Sequence, residues 1–325
     1  MLHRRILGVC ALAVGFLGVS AAIAVGTPPG TNGQIAWQRG ESAYAPPHLW
    51  VANPDGSQAR EVFAEDDAPT FEAAFSPVNA AALAFTRGTE RPFSEEIFVG
   101  DLTTGQVRQV TDSESAALAA TFSPDGARIV FFSVRPAGRN RPPGPERIAV
   151  INIDGTGRRF LSPKNRISLD PDFSPDGTRI AYTESRPLGP LAVDNRLMVM
   201  KADGSGRRAV TAYGGRREIN PKWLPDGSGL VFESLNRRNL KSDIERIGID
   251  GRGRRPVLAT SAFETNPVPS PDGTRIVFTS DRDRRGPTRL GPGFEVYTMR
   301  IYGTDIVRLT SNTERDLFPD WQRLP

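Results

Sequence analysis

The tetrapeptide Ser-Pro-Asp-Gly occurs at residues 123–126, 174–177 and 270–273. Each copy leads into a basic residue, an aliphatic, an apolar residue and an aromatic, as in Arg128-Ile129-Val130-Phe131, Arg179-Ile180-Ala181-Tyr182 and Arg275-Ile276-Val277-Phe278. Weaker copies start at Ser76-Pro77 and Leu224-Pro225, and the five prolines 77, 124, 175, 225 and 271 lie 47, 51, 50 and 46 residues apart. A period of this length marks a supersecondary unit that cannot bury its apolar face alone and must stack on its neighbours.

Each period holds two strand pairs. In the first, proline suits the corner of a type I turn, Asp bonds nearby backbone, and Gly accepts the positive φ that follows. The second pair recurs six times, among them Ile97-Phe98-Val99, Ile148-Ala149-Val150-Ile151 and Ile244-Glu245-Arg246-Ile247, each followed by a glycine turn. Closing strands end in pairs such as Val110-Thr111, Val210-Thr211 and Leu309-Thr310. The unit reads as a four-stranded antiparallel meander, a propeller blade. The first pair is complete only five times, and its sixth copy is split between the two ends of the chain. Leu317-Phe318-Pro319-Asp320-Trp321 matches the approach strand Ile219-Asn220-Pro221-Lys222-Trp223, and Gly33-Gln34-Ile35-Ala36-Trp37 matches the return strand. The expected fold is therefore all-β, a six-bladed β-propeller of four-stranded antiparallel blades, closed by pairing of the N- and C-terminal strands. It occupies residues 33–325.

Residues 1–24 read as a secretory signal peptide. Arg4 and Arg5 precede an apolar run from Ile6 to Val25, and Ala22-Ile23-Ala24 offers a cleavage site. An uncleaved membrane anchor is the alternative, and 25–32 is a short linker in either case. Cys10, the single cysteine, lies in this segment, so the propeller can form no internal disulfide. Removing Arg4 and Arg5 takes Lys plus Arg from 41 to 39 against 37 acids, a net charge of +2. Such balance gives no reason to expect nucleic acid. The chain is expected to be exported to the periplasm or another extracytoplasmic space, and to be a monomer.

In a meander the short glycine turns share one rim, while the second-to-third loops and blade links share the other. Those loops, at 135–145, 186–190, 237–239 and 282–287, are rich in arginine. Candidate binding residues are Arg135, Arg139, Arg141, Arg237, Arg238, Arg282, Arg284 and Arg285, with an acidic sector at Glu65, Asp66 and Asp67. Such asymmetry would orient a protein or an acidic polysaccharide; solvated arginines maintaining solubility are the equal alternative. A second candidate is a ring at the channel mouth, three residues before the aromatic position of each first strand: Glu72, Ala119, Asp170, Asn220, Asn266 and Phe318. Oxygen ligands from Glu72, Asp170, Asn220 and Asn266 would suit Ca²⁺, although Asn/Asp-Pro steps also serve as turn residues, and no other cofactor is expected. The propeller has one histidine, His48, and no nucleophile elbow, which points away from an enzyme.

The Ser-Pro-Asp-Gly-x-Arg-Ile-x-Phe repeats, the Asn/Asp-Pro steps before them and the Asp-Gly and Leu-Thr segments after them resemble the TolB-type, WD40-like propeller repeat over residues 33–325. TolB proteins are periplasmic, and their propeller follows an N-terminal α/β domain for which residues 25–32 leave no room. They bind the envelope lipoprotein Pal through the propeller. The resemblance implies a non-catalytic protein-binding module at the cell envelope. Binding of an acidic glycan or wall polymer is the alternative, followed by a metal-assisted hydrolase or lyase using channel carboxylates. Related propellers that degrade oligogalacturonate use a metal and several histidines, a set that the single propeller histidine His48 does not supply.

Overall fold

The computed structural model describes residues 30–40, 46–64, 68–89, 95–113, 115–135, 144–189, 192–214, 216–236, 241–283 and 293–324. Within these residues twenty-four strands, β1 to β24 in chain order, form six four-stranded antiparallel sheets. Blade one joins the last strand, β24 (Arg315–Leu324), to β1 (Thr31–Gly40), β2 (His48–Ala52) and β3 (Arg60–Val62). Blades two to six each take the next four strands. Their inner strands are β4 (Thr70–Phe75), β8 (Ala116–Phe122), β12 (Ile167–Phe173), β16 (Arg217–Trp223) and β20 (Glu264–Pro269). Each inner strand touches the inner strands on either side, with β20 reaching β24 and β24 reaching β4, so the ring has no gap. The expected closure is present: Ile35 pairs with Trp321 and Ala36 with Asp320.

The Ser-Pro-Asp-Gly turns explain their own repetition. In blade three the Ser123 hydroxyl donates to Asp125 Oδ1 at 2.5 Å, which also accepts the Ala127 amide at 3.0 Å. The Gly126 amide returns to the Ser123 carbonyl at 2.8 Å, and Gly126 takes a φ of 69° that a Cβ would oppose. Residues 174–177 and 270–273 repeat this pattern. The closing threonines also have a task. Thr111, Thr211 and Thr310 accept the amides of Ile97, Leu197 and Val296, tying the outermost strand of each blade back to its neighbour. Residues 186–189 of the stretch read from sequence as a loop, 186–190, instead extend a hairpin: β13 (Arg179–Gly189) and β14 (Ala192–Lys201) keep pairing as far as Gly189 and Ala192. Here Pro187 sits in a two-stranded extension, where no third strand needs its missing N–H.

The apolar side chains gather into six clusters, each lying between consecutive blades. The cluster between blades six and one sets Val268, Val277 and Val296 against Ile35, Trp37 and Trp321, so the two ends of the chain share one core. Trp321 is only 2% exposed. Replacing it with Ala should cost about 3–5 kcal/mol in denaturant unfolding, the range for a buried aromatic. A loss below about 1 kcal/mol would mean that the last strand does not seal the ring.

Candidate functional site

The six residues that the sequence places in a ring share one backbone feature. Glu72, Ala119, Asp170, Asn220, Asn266 and Phe318 all have left-handed φ, between 53° and 71°. Each stands at a bulge: Phe71 faces Thr86 and Ala74 faces Ala84, so two residues of β4 oppose one on the next strand, and the other five blades shift register at the same place. Asn and Asp tolerate this region better than other non-glycine residues, which accounts for their recurrence before proline better than turn formation does. The bulge turns main-chain amides toward the preceding blade. Glu72 N donates to Gln38 Oε1 at 3.3 Å, Ala119 N to Thr86 Oγ1 at 3.3 Å, and Asn220 N to Asp170 Oδ2 at 3.2 Å. Three residues further along, Phe75 N donates to Asp320 Oδ2 and Trp223 N to Asp172 Oδ2, both at 2.9 Å. These bonds staple blade to blade around the axis and offset the roughly 1–3 kcal/mol that a non-glycine residue costs in this region.

Five of the six ring side chains are buried, Phe318 being half-buried, and acceptors predominate. Asp170 Oδ2 also accepts from Thr183 at 2.9 Å, and Asn220 Nδ2 donates to Glu233 at 3.4 Å. Glu72 Oε2, Asp170 Oδ1, Asn220 Oδ1 and Asn266 Oδ1 are buried without a hydrogen-bond partner among the described residues. Burial, reinforced by the charge of Asp170, pushes the Glu72 carboxyl up to about 8. Burial likewise takes Asp170 to about 7 and Asp320 to about 8.

One charged group escaped the sequence reading. Lys222 is fully buried, with Nζ 3.7 Å from Asp172 Oδ1, an ion contact too long for a hydrogen bond. Burial pushes its ammonium down, while Asp172, Asp170 and Asp320 oppose that shift. The signal was available: the residue after the proline is charged in Pro171-Asp172, Pro221-Lys222 and Pro319-Asp320.

Residues 137–323, more than half of the chain, match the family model described as the TolB beta propeller domain. The chain belongs to this family. A TolB homolog of Chlorobium luteolum is 31% identical over 165 residues, 48% of this chain and 32% of that protein. A TolB homolog of Chlorobium chlorochromatii is 31% identical over 58% of this chain and 41% of its own length. The matches thus span less than half of either relative. The crystal structure of TolB from Acinetobacter baumannii superposes with a TM-score of 0.69 at 20% identity, over 89% of this chain and 66% of that one, a likeness of fold.

The other candidates in this TolB-type propeller fare unevenly. Arg135 is exposed at the long-connection rim. Arg282 is not a free arm: it donates to Glu264 at 2.7 Å and stacks over Phe278 and Tyr297. Arg139, Arg141, Arg237, Arg238, Arg284 and Arg285, and the acidic Glu65, Asp66 and Asp67, lie outside the described residues. His48 Nδ1 lies 3.3 Å from Glu61 on the outer part of blade one. Among the described residues no three His, Cys, Asp or Glu side chains come together to hold a metal ion.

The raised carboxyls set a pH dependence. An acid whose folded value lies above its unfolded value, about 4.3 for Glu, binds its proton more tightly in the native state. Its stabilising contribution is complete below the unfolded value and is lost as pH rises through the folded one. Wild-type stability should therefore fall between pH 5 and pH 9, and Glu72→Gln should flatten that fall by at least about 1.4 kcal/mol. Thermal melts across this window test it, and parallel profiles for the two proteins would contradict the assignment.

Proposed function

We propose that this TolB-type propeller is a non-catalytic binding module at the cell envelope, and that its partner is a protein. The partner seats on the rim of the long connections and presents hydrogen-bond donors to the channel mouth. The observation that carries this reading is the ring of four buried oxygens, on Glu72, Asp170, Asn220 and Asn266, that no group among the described residues satisfies. Buried acceptors of this kind reward a matching donor and penalise its absence, a basis for selectivity. The resemblance to TolB proteins, which hold an envelope lipoprotein through their propeller, supports a protein as the occupant, and the apolar run from Ile6 to Val25 supports export.

Glycine accepts the left-handed backbone at these bulges, so Asn220→Gly with Asn266→Gly removes two acceptors and leaves the main chain in place. The double variant should capture its partner from a solubilised envelope fraction at least about tenfold less well than wild type, the worth of one lost buried hydrogen bond. Equal capture by the two proteins would remove the channel mouth from the interface. Retention on purified acidic wall polymer that disappears in high salt would reassign the rim to a polyanion.

A further inference from the structure

The six blades are internal controls for one another, and blade five departs from the rest at four positions that meet in one place. In the other blades the residue third from the top of the third strand pairs across to the outermost strand as Val51 with Arg60, Val99 with Arg108, Val150 with Arg159, Val199 with Arg208, and Thr298 with Val307. In blade five, between β18 (Lys241–Gly248) and β19 (Arg255–Leu258), the same pair is Arg246 with Arg255. Two like charges directly opposite on an antiparallel pair are destabilising by themselves. The turn that follows adds a third. Its backbone bond from Gly248 N to the Arg252 carbonyl has counterparts ending on Ser57, Thr156, Ser205 and Thr304 in four blades and on Gln106 in blade two, so arginine stands where the other blades carry an uncharged residue.

Two losses of side chain accompany these gains. Where other blades pair Arg128 with Asn152, Arg179 with Lys201 and Arg275 with Arg300, blade five pairs Gly229 with Gly248. The space left is a pocket of about 230 Å³ on the short-turn rim, lined by all three arginines, by both glycines, and by Leu224 and Ile247. Arg246 is half-buried, and Arg252 and Arg255 are exposed. Among the described residues none of these three guanidiniums has a hydrogen-bond or ion-pair partner. The nearby carboxylate is Asp250, whose Oδ1 accepts the Arg252 amide at 2.9 Å, as the turn aspartates of other blades do.

We propose that this pocket binds a phosphate group. Three guanidinium forks match the several acceptor oxygens of a phosphate and would relieve the repulsion between Arg246 and Arg255. Leu224 and Ile247 offer an apolar wall to whatever carbon skeleton bears the group. The site lies on the rim opposite the channel mouth and is independent of the partner surface there.

The test restores the residues of blade three. Arg246→Val with Arg252→Thr is compared with wild type, as full chains, by calorimetric titration and thermal melts. The probes are inorganic phosphate and glycerol 1-phosphate, against sodium chloride of equal ionic strength. Wild type should bind and melt higher with phosphate. The double variant should bind at least about tenfold more weakly, and without phosphate it should melt no lower than wild type, because a like-charge pair has gone. Arg252→Thr alone, in an exposed turn, provides the same comparison should the double variant fold poorly. A flotation arm with phosphatidylglycerol vesicles, against phosphatidylcholine, separates the sources. Arginine-dependent retention on the anionic vesicles would place the phosphate on a lipid headgroup, and binding of glycerol 1-phosphate without retention would place it on a soluble ester. A wild type that responds to none of these probes, or variants that respond as strongly, would overturn the proposal.

Discussion

Each blade is a four-stranded sheet with apolar side chains on both faces, and only another blade can cover them. That requirement propagates around the molecule: every sheet stacks on the next until the last must meet the first. The cluster between blades six and one, with Trp321, Trp37 and Ile35 against three valines, is where the requirement is met. Without it two large apolar faces and the edges of β1 and β24 would lie open to water and to other chains. Within blade one Arg39 clasps β1 to β24, giving Asp316 two hydrogen bonds, at 2.6 and 2.8 Å, while lying 4.2 Å over the Trp50 ring.

Closure also concentrates polar groups on the axis. Bulges on the inner strands turn amides toward the preceding blade, and the buried Asp170, Asp172, Asp320, Glu72 and Lys222 stand where desolvation works against their charges. Well-packed apolar residues often serve stability as well as such groups do. In the binding role proposed above, they would select a partner at the channel mouth. The opposite rim is built from short turns whose aspartates bond their own backbone, and among the described residues blade five departs from that pattern with Gly229 opposite Gly248 and Arg246 opposite Arg255.

Much of this architecture was legible because the repeat carries its own turn chemistry. Ser123, Asp125 and Gly126 bond within six residues of chain, and the split motif at residues 33–37 and 317–321 announced the closing pair. The ring of Glu72, Asp170, Asn220 and Asn266 was legible as a set of positions, but its backbone cause was not, since a left-handed bulge depends on register with the neighbouring strand. Arg282 looked free because Glu264, its partner, belongs to another strand and no local spacing links them. The blade-five pocket was hidden for the same reason. Arg246 and Arg255 are nine residues apart in sequence, and only cross-strand pairing sets them face to face.

The closed ring is the claim from which the channel mouth and both rims follow. Native-state hydrogen exchange, read by mass spectrometry on peptides covering β1, β24 and the inner strands of blades three to five, addresses it directly. A sealed ring predicts that the β1 and β24 amides exchange only with global unfolding, at the rate of β12 and β16. Exchange of β1 and β24 well ahead of those strands, through local opening of blade one, would contradict it.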